Sequence, residues 1–183
     1  MGNLLKKEFS LESVRRNHDN GYGLSKEAER YLNRIEQGES VSIHVRRGDY
    51  LLPQNQDLFG NICTDMYYEN AVKKMMESRP DCTFYLFTND NQWAAERLRE
   101  RKDFPIVLVE LPGNRDYETL MLMSRCRHNI LANSSFSWWA SYLNDNPDKQ
   151  VIAPAEWMNG WDCSDIYRAD MIRIGAGISE AAQ

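Results

Sequence analysis

From Val41 onward the chain alternates short apolar runs with longer stretches in which apolar residues recur every three or four positions. The short runs, rich in β-branched and aromatic residues, read as strands, and the longer stretches as helices with one apolar face. Candidate strands are Val41 to Val45, Thr83 to Phe87, Ile106 to Val109, Asn129 to Ala132 and Gln150 to Ala153. Thr64 can cap a helix running to about Ser78, with Tyr68, Ala71, Val72, Met75 and Met76 on one face and Pro80 closing it. Further helices are expected near Gln92 to Arg101, Tyr117 to Arg125 and Ser137 to Asn144. This alternation predicts an α/β fold, a Rossmann-like parallel sheet flanked by helices.

Before Val41 the pattern differs. Residues 1–40 are polar and charged, with Lys6, Lys7, Glu8, Arg15 and Arg16 ahead of the turn former Asp19-Asn20-Gly21-Tyr22-Gly23. One helix fits there, capped by Ser25, running over 26–37 and stopped by Gly38, with Leu24, Ala28, Leu32 and Ile35 as its modest apolar side. The expected organisation is a polar helical or linker segment over 1–40, the α/β domain over 41–175, and a frayed tail over 176–183. After Pro154, the run Glu156-Trp157-Met158-Asn159-Gly160-Trp161 reads as an aromatic-rich surface loop.

Composition narrows the function. The length of 183 residues allows one α/β domain and an appendage, not two full domains, and 42% hydrophobic residues suffice for a packed core. With 22 Lys and Arg against 27 Asp and Glu, the net charge of −5 argues against a nucleic-acid binder. No apolar run reaches the roughly 18 residues of a spanning helix, and the start lacks a signal-peptide core, so a cytoplasmic chain, at most peripheral to the inner membrane, is expected. Cys63, Cys82, Cys126 and Cys163 lie far apart and without zinc-ligand spacing, which suggests reduced thiols and no metal site.

Ligands of open α/β sheets bind beyond the carboxyl ends of the strands, and three such segments are unusual. In His44-Val45-Arg46-Arg47-Gly48-Asp49-Tyr50 two arginines leave a buried strand where Gly48 permits a sharp turn. Their forked donors match phosphate oxygens, although pairing with a carboxylate such as Asp49 explains them equally well. Arg47-Gly48-Asp49 also spells a cell-adhesion tripeptide, but a chance match at a sheet edge, with no secretion signal, carries little weight. In Phe87-Thr88-Asn89-Asp90-Asn91 the polar residues can cap the next helix, or the Asp90 carboxylate and Asn89 carbonyl can accept from the N–H edge of a base such as guanine. In Asn133-Ser134-Ser135-Phe136-Ser137-Trp138-Trp139 the hydroxyls and helix N-terminus suit an anion or serve only as caps, and the two tryptophans read as core or interface residues. There is no Gly-x-x-x-x-Gly-Lys loop, no Gly-x-Gly-x-x-Gly after a strand and no Asp-x-Asp. Together these point to an anionic, nucleotide-containing ligand bound without metal.

In order and spacing, these three motifs resemble the family 11 glycosyltransferases, the α-1,2-fucosyltransferases, in a bacterial form, and the loop from Pro154 to Trp161 resembles that family's C-terminal region. The resemblance implies inverting, metal-independent transfer of L-fucose from GDP-fucose to the 2-hydroxyl of a terminal β-galactose, with no cofactor. It implies a GT-B-like enzyme whose C-terminal, Rossmann-like half binds the donor, with GDP-fucose and a galactose-terminated glycan as partners. Carried onto this chain, the catalytic residue is Arg46, contacting the donor β-phosphate. Arg47 supports the phosphates or the loop, His44 and Asp90 lie near guanine with Asn89 beside them, and Asp49 orients the arginines. Ser134, Ser135 and Phe136 line the phosphate and ribose region, and Asn133 also belongs to the donor-binding set. The family's amino-terminal Gly-Gly-Leu-Gly-Asn-Gln motif has no match in residues 1–40. The chain is therefore expected to be a donor-binding half, with residues 1–40 as the remnant of an inter-domain region. Two alternatives stand beside it, a non-catalytic fragment binding GDP or GDP-fucose and a transferase using another GDP-sugar.

Overall fold

The computed structural model of the chain describes residues 23–99, 102–113 and 115–175. Six strands form one sheet: β1 (Ser40–Val45), β2 (Thr83–Thr88), β3 (Ile106–Leu108), β4 (His128–Ile130), β5 (Val151–Pro154) and β6 (Met171–Ile174). Every neighbouring pair is parallel, in the order β3-β2-β1-β4-β5-β6. Chain order reverses between β1 and β4, and the crevice beyond their carboxyl ends is where this topology receives ligands.

The helices are α1 (Lys26–Gln37), α2 (Pro53–Phe59), α3 (Asp65–Ser78), α4 (Asn91–Leu98), α5 (Asp116–Arg125) and α6 (Ser135–Leu143). Side chains alternate across a strand, so each central strand feeds two cores. Val41, Ile43 and Val45 of β1 and Phe84 and Leu86 of β2 pack with Tyr67, Val72 and Met75 of α3 and Ala94 of α4. On the other face Tyr85 and Phe87 of β2 meet Leu32 and Ile35 of α1, Met121 and Leu122 of α5 and Ala140 of α6. Helix α1, polar in sequence, thus contributes fully buried residues to the same core as α5.

The expected caps form: Ser25 Oγ accepts from Ala28 N at 3.1 Å and Thr64 Oγ1 from Tyr67 N at 3.3 Å. Ser25 in turn donates its N–H and hydroxyl to the buried Glu118 carboxylate, which ties the start of α1 to α5. On α3 the fully buried face contains Tyr67 rather than Tyr68. The hydroxyls of both tyrosines reach the sheet, Tyr67 donating to Leu131 O at 2.6 Å and Tyr68 to His44 O at 2.9 Å. Two helical features, the 3₁₀ turn Gly48–Leu51 and α2, and the edge strand β6 go beyond the elements expected from the sequence. Strand β6 carries the partly exposed alternation Met-Ile-Arg-Ile and pairs on one side only, so its apolar signal is weak. The turn over 19–22 and the tail over 176–183 lie outside the described residues. Among the described residues no helix is long and apolar enough to cross a membrane, and all four cysteines are free thiols.

Candidate functional site

The chain leaves β1 at Arg46 and turns at Gly48, whose φ of +40° favours glycine. A Cβ there would lie 2.4 Å from Asn89 Nδ2. Asn89 therefore fits beneath the turn, and its Oδ1 accepts from Arg47 N at 2.9 Å. The two arginines have different surroundings. Arg47 Nε donates to Asp90 Oδ2 at 3.1 Å and its guanidinium lies 4.2 Å from the centre of the Trp93 ring, so its charge is neutralised and its plane stacked. Asp90 also caps α4, accepting from Trp93 N at 3.1 Å. That backbone bond first, and the Arg47 side chain second, hold the Asp90 carboxyl below its ordinary pKa. Arg46 instead pairs with Asp49 at 2.7 Å, both side chains about a third to a half exposed, with the Tyr50 ring centre 5.9 Å away. An exposed pair of this kind contributes about 0–1 kcal/mol, so a doubly charged anion with two or more oxygens can compete for the guanidinium.

At the end of β4 the third motif converges on the first. Asn133 is buried and donates its amide to Phe59 O at 3.3 Å and Trp157 O at 3.2 Å, while its own carbonyl accepts from Tyr50 Oη at 2.8 Å. It thus fastens together the loops after β1, α2 and β4 and the aromatic loop after β5. Ser134 caps α6, its Oγ accepting from Phe136 N at 3.3 Å, and Ser135 stands exposed in the first helical turn. Trp138 stacks on Tyr142 and donates to Ile166 O at 2.7 Å, whereas Trp139 is 40% exposed and so is not a core residue.

His44 lies between these two segments. It is buried, its ring centre 5.6 Å from that of Phe136, and its Nδ1 has no hydrogen-bond partner among the described residues. Burial foremost, then the Arg46 charge, lower its pKa from 6.5 to about 3, so the imidazole is neutral at physiological pH. A buried polar atom without a partner costs on the order of 1–3 kcal/mol. Such an atom at the switch point makes His44 a candidate for contact with a ligand.

The structure therefore gathers all ten expected site residues around the ends of β1, β2 and β4, but in different surroundings. Asn89, Asp90, Asn133, Ser134 and Arg47 hold the scaffold through their side chains. The His44 ring lies against Phe136, while Arg46 is half-buried and Asp49 and Ser135 are exposed. A cavity of about 270 Å³ opens beside Arg46, lined also by Tyr50, Phe59, Cys63, Tyr68 and Asn133. Burial pushes the Cys63 thiol up to about 12, so it is protonated there. Tyr50, Tyr68 and Trp93 are not among the site residues expected from the sequence. Their partners lie 83, 24 and 46 residues away in the chain, and nothing local in the sequence signals such pairings.

Residues 12–174 match the model of the family described as glycosyl transferase family 11. An O-antigen biosynthesis glycosyltransferase, WbnK, of Escherichia coli is 31% identical over 143 residues, covering 76% of this chain and 46% of the relative. An alpha-1,2-colitosyltransferase of Escherichia coli is 32% identical over 118 residues, covering 64% and 41%. A galactoside alpha-(1,2)-fucosyltransferase 1 of Ateles belzebuth is 27% identical over 146 residues, covering 76% and 37%. The chain spans less than half the length of each of these relatives. With the family match extending over most of the sequence and containing every strand and helix of the sheet domain, the chain belongs to glycosyl transferase family 11.

Proposed function

We propose that this chain is the donor-binding portion of an inverting galactoside 2-α-L-fucosyltransferase. It takes GDP-fucose as donor and the 2-hydroxyl of a terminal β-galactose as acceptor. The observation that carries this reading is Arg46, presented at the switch point by a turn that Asn89, Asp90 and Trp93 hold from behind. As the bond from the anomeric carbon to the β-phosphate oxygen breaks, its electron pair stays with GDP and negative charge grows on that oxygen. A fixed guanidinium and the N-terminus of α6 stabilise this charge more in the transition state than in the ground state. These groups, rather than a metal or a cofactor, carry the charge in this reading. The neutral His44 ring offers its unpartnered nitrogen to the donor without adding a competing charge.

A second reading, a transferase using another sugar donor, is favoured by the relative named a colitosyltransferase. Incubation of the chain with GDP-fucose and lactose, with and without EDTA, tests the first reading. Fucosylated lactose formed equally in both conditions is the expected product. Binding of GDP-fucose without transfer would assign the chain a binding role alone, and activity lost with EDTA would contradict the arginine-based account.

A further inference from the structure

A cleft of about 130 Å³ opens between α3 and α4, on the face of the sheet opposite α1, α5 and α6. Ile43 of β1, Leu86 of β2, Val72 of α3 and Ala94 and Leu98 of α4 make its walls apolar. Asp65 and Arg97 stand at its mouth, paired from α3 to α4 at 2.7 Å with both side chains more than half exposed. An apolar cavity of roughly 150 Å³ accepts a benzene-sized ring, so the volume here suits one ring and little more. We propose that this cleft is a binding site for an uncharged single-ring phenol, and that the Arg47 turn senses its occupancy through Trp93. The site itself stands apart from the donor reading above, and only its effect on the turn rests on that reading.

Charge at the mouth selects the ligand. Asp65 already neutralises Arg97, and Glu69, one turn along α3, adds a second carboxylate to the same rim. Any charged ring loses hydration against the apolar walls, and an anion is also repelled by that carboxylate. A phenolic hydroxyl carries no charge and finds an acceptor in Asp65 and a donor in Arg97, while its ring fills the apolar depth. The Asp65–Arg97 pair is exposed and therefore weak, so opening it to admit the ring costs little.

The cleft adjoins the cavity beside Arg46, the two sharing Val45, Asp65, Tyr68 and Trp93 as walls. Trp93 also links them chemically, because the Arg47 guanidinium lies 4.2 Å from its ring centre and that of Arg97 lies 5.0 Å from it. A ring in the cleft packs beside Trp93 and limits its freedom to leave Arg47. The turn that presents Arg46 then has less freedom to lose when an anion binds, so the phenol and the nucleotide favour each other. Each raises the other's affinity by the same factor.

Titration of phenol into the isotope-labelled full chain, followed by nuclear magnetic resonance at the tryptophan indole N–H signals, tests this, with Trp93→Phe identifying the Trp93 signal. A saturable shift of that signal is expected, with a Kd of about 1 mM or below, within the affinity available per ligand atom. Benzoate should bind about tenfold more weakly or not at all. Ala94→Leu and Leu98→Phe each add atoms to the cleft and should weaken phenol by about tenfold or more. Ala94 is fully buried and its variant can overpack, whereas Leu98 is half-buried at the end of α4 and tolerates the change. Thermal melting by circular dichroism verifies that both fold. An unresponsive Trp93 signal, equal binding of benzoate, or undiminished phenol binding in the filled variants overturns the site. Calorimetric titration of GDP with and without saturating phenol reads the coupling, and phenol should tighten GDP by about fivefold or more. Unchanged GDP affinity removes the coupling and leaves the site. A chain that binds phenol but no GDP removes the donor reading, and the coupling with it.

Discussion

His44 shows how a single residue can bind stability to pH in this site. Its folded pKa is depressed from 6.5 to about 3, chiefly by burial, whereas in the unfolded chain it titrates at its ordinary value. Its contribution to stability is therefore complete above about pH 6.5 and is lost as pH falls toward about 3, because the unfolded state takes up a proton that the folded state refuses. The expected slope is on the order of 1 kcal/mol per pH unit within that window. Urea unfolding of the wild type and His44→Gln at pH 7.5 and 5 checks it. The variant should lose less stability on acidification, while His128, also lowered mainly by burial, maintains part of the slope in both. Equal losses would mean that His44 does not titrate as its burial dictates. The residues around it differ in how far the sequence reveals them. The arginine pair and the turn at Gly48 are legible because each follows from a local pattern. That Arg47 serves the scaffold and Arg46 the crevice is not, because it depends on Asn89, Asp90 and Trp93, which a distant strand and helix bring beneath the turn.

At the scale of elements, the apolar period is enough to place the five inner or early strands and the major helices, since burial on both faces leaves continuous apolar runs. It fails at β6, where one face and one edge are partly solvated, and at α2, a seven-residue helix with no buried residue. Polar contacts between elements are equally hidden. Asn129 of β4 donates to Ser42 Oγ of β1 at 2.7 Å and to Met123 O of α5 at 2.9 Å, and accepts from Asn144 Nδ2 after α6 at 2.8 Å. This fully buried set ties two strands to two helices on the face where α6 begins. Asn129→Leu leaves several buried groups without partners and should destabilise the chain by about 2–4 kcal/mol, each orphaned group costing roughly 1–3 kcal/mol. Chemical denaturation monitored by tryptophan fluorescence measures the effect. A loss below about 0.5 kcal/mol, the level of an ordinary surface substitution, would show that the network does not hold these layers together.

As a whole molecule, the chain is a doubly wound sheet with its candidate site at the point where strand order reverses, and it spans less than half the length of the relatives compared above. Its negative net charge is compatible with an anionic ligand because the positive groups are local, Arg46 and the start of α6. The central claim is that Arg46 holds the diphosphate of the donor while Arg47 holds the loop. Isothermal titration of GDP-fucose into the wild type, Arg46→Ala and Arg47→Ala chains tests it most directly. The account predicts measurable binding by the wild type and a loss of about tenfold or more in Arg46→Ala, as for removal of a charge-assisted bidentate contact. Arg47→Ala should show a smaller loss, accompanied by a lower melting temperature. Unchanged affinity in Arg46→Ala would contradict the account.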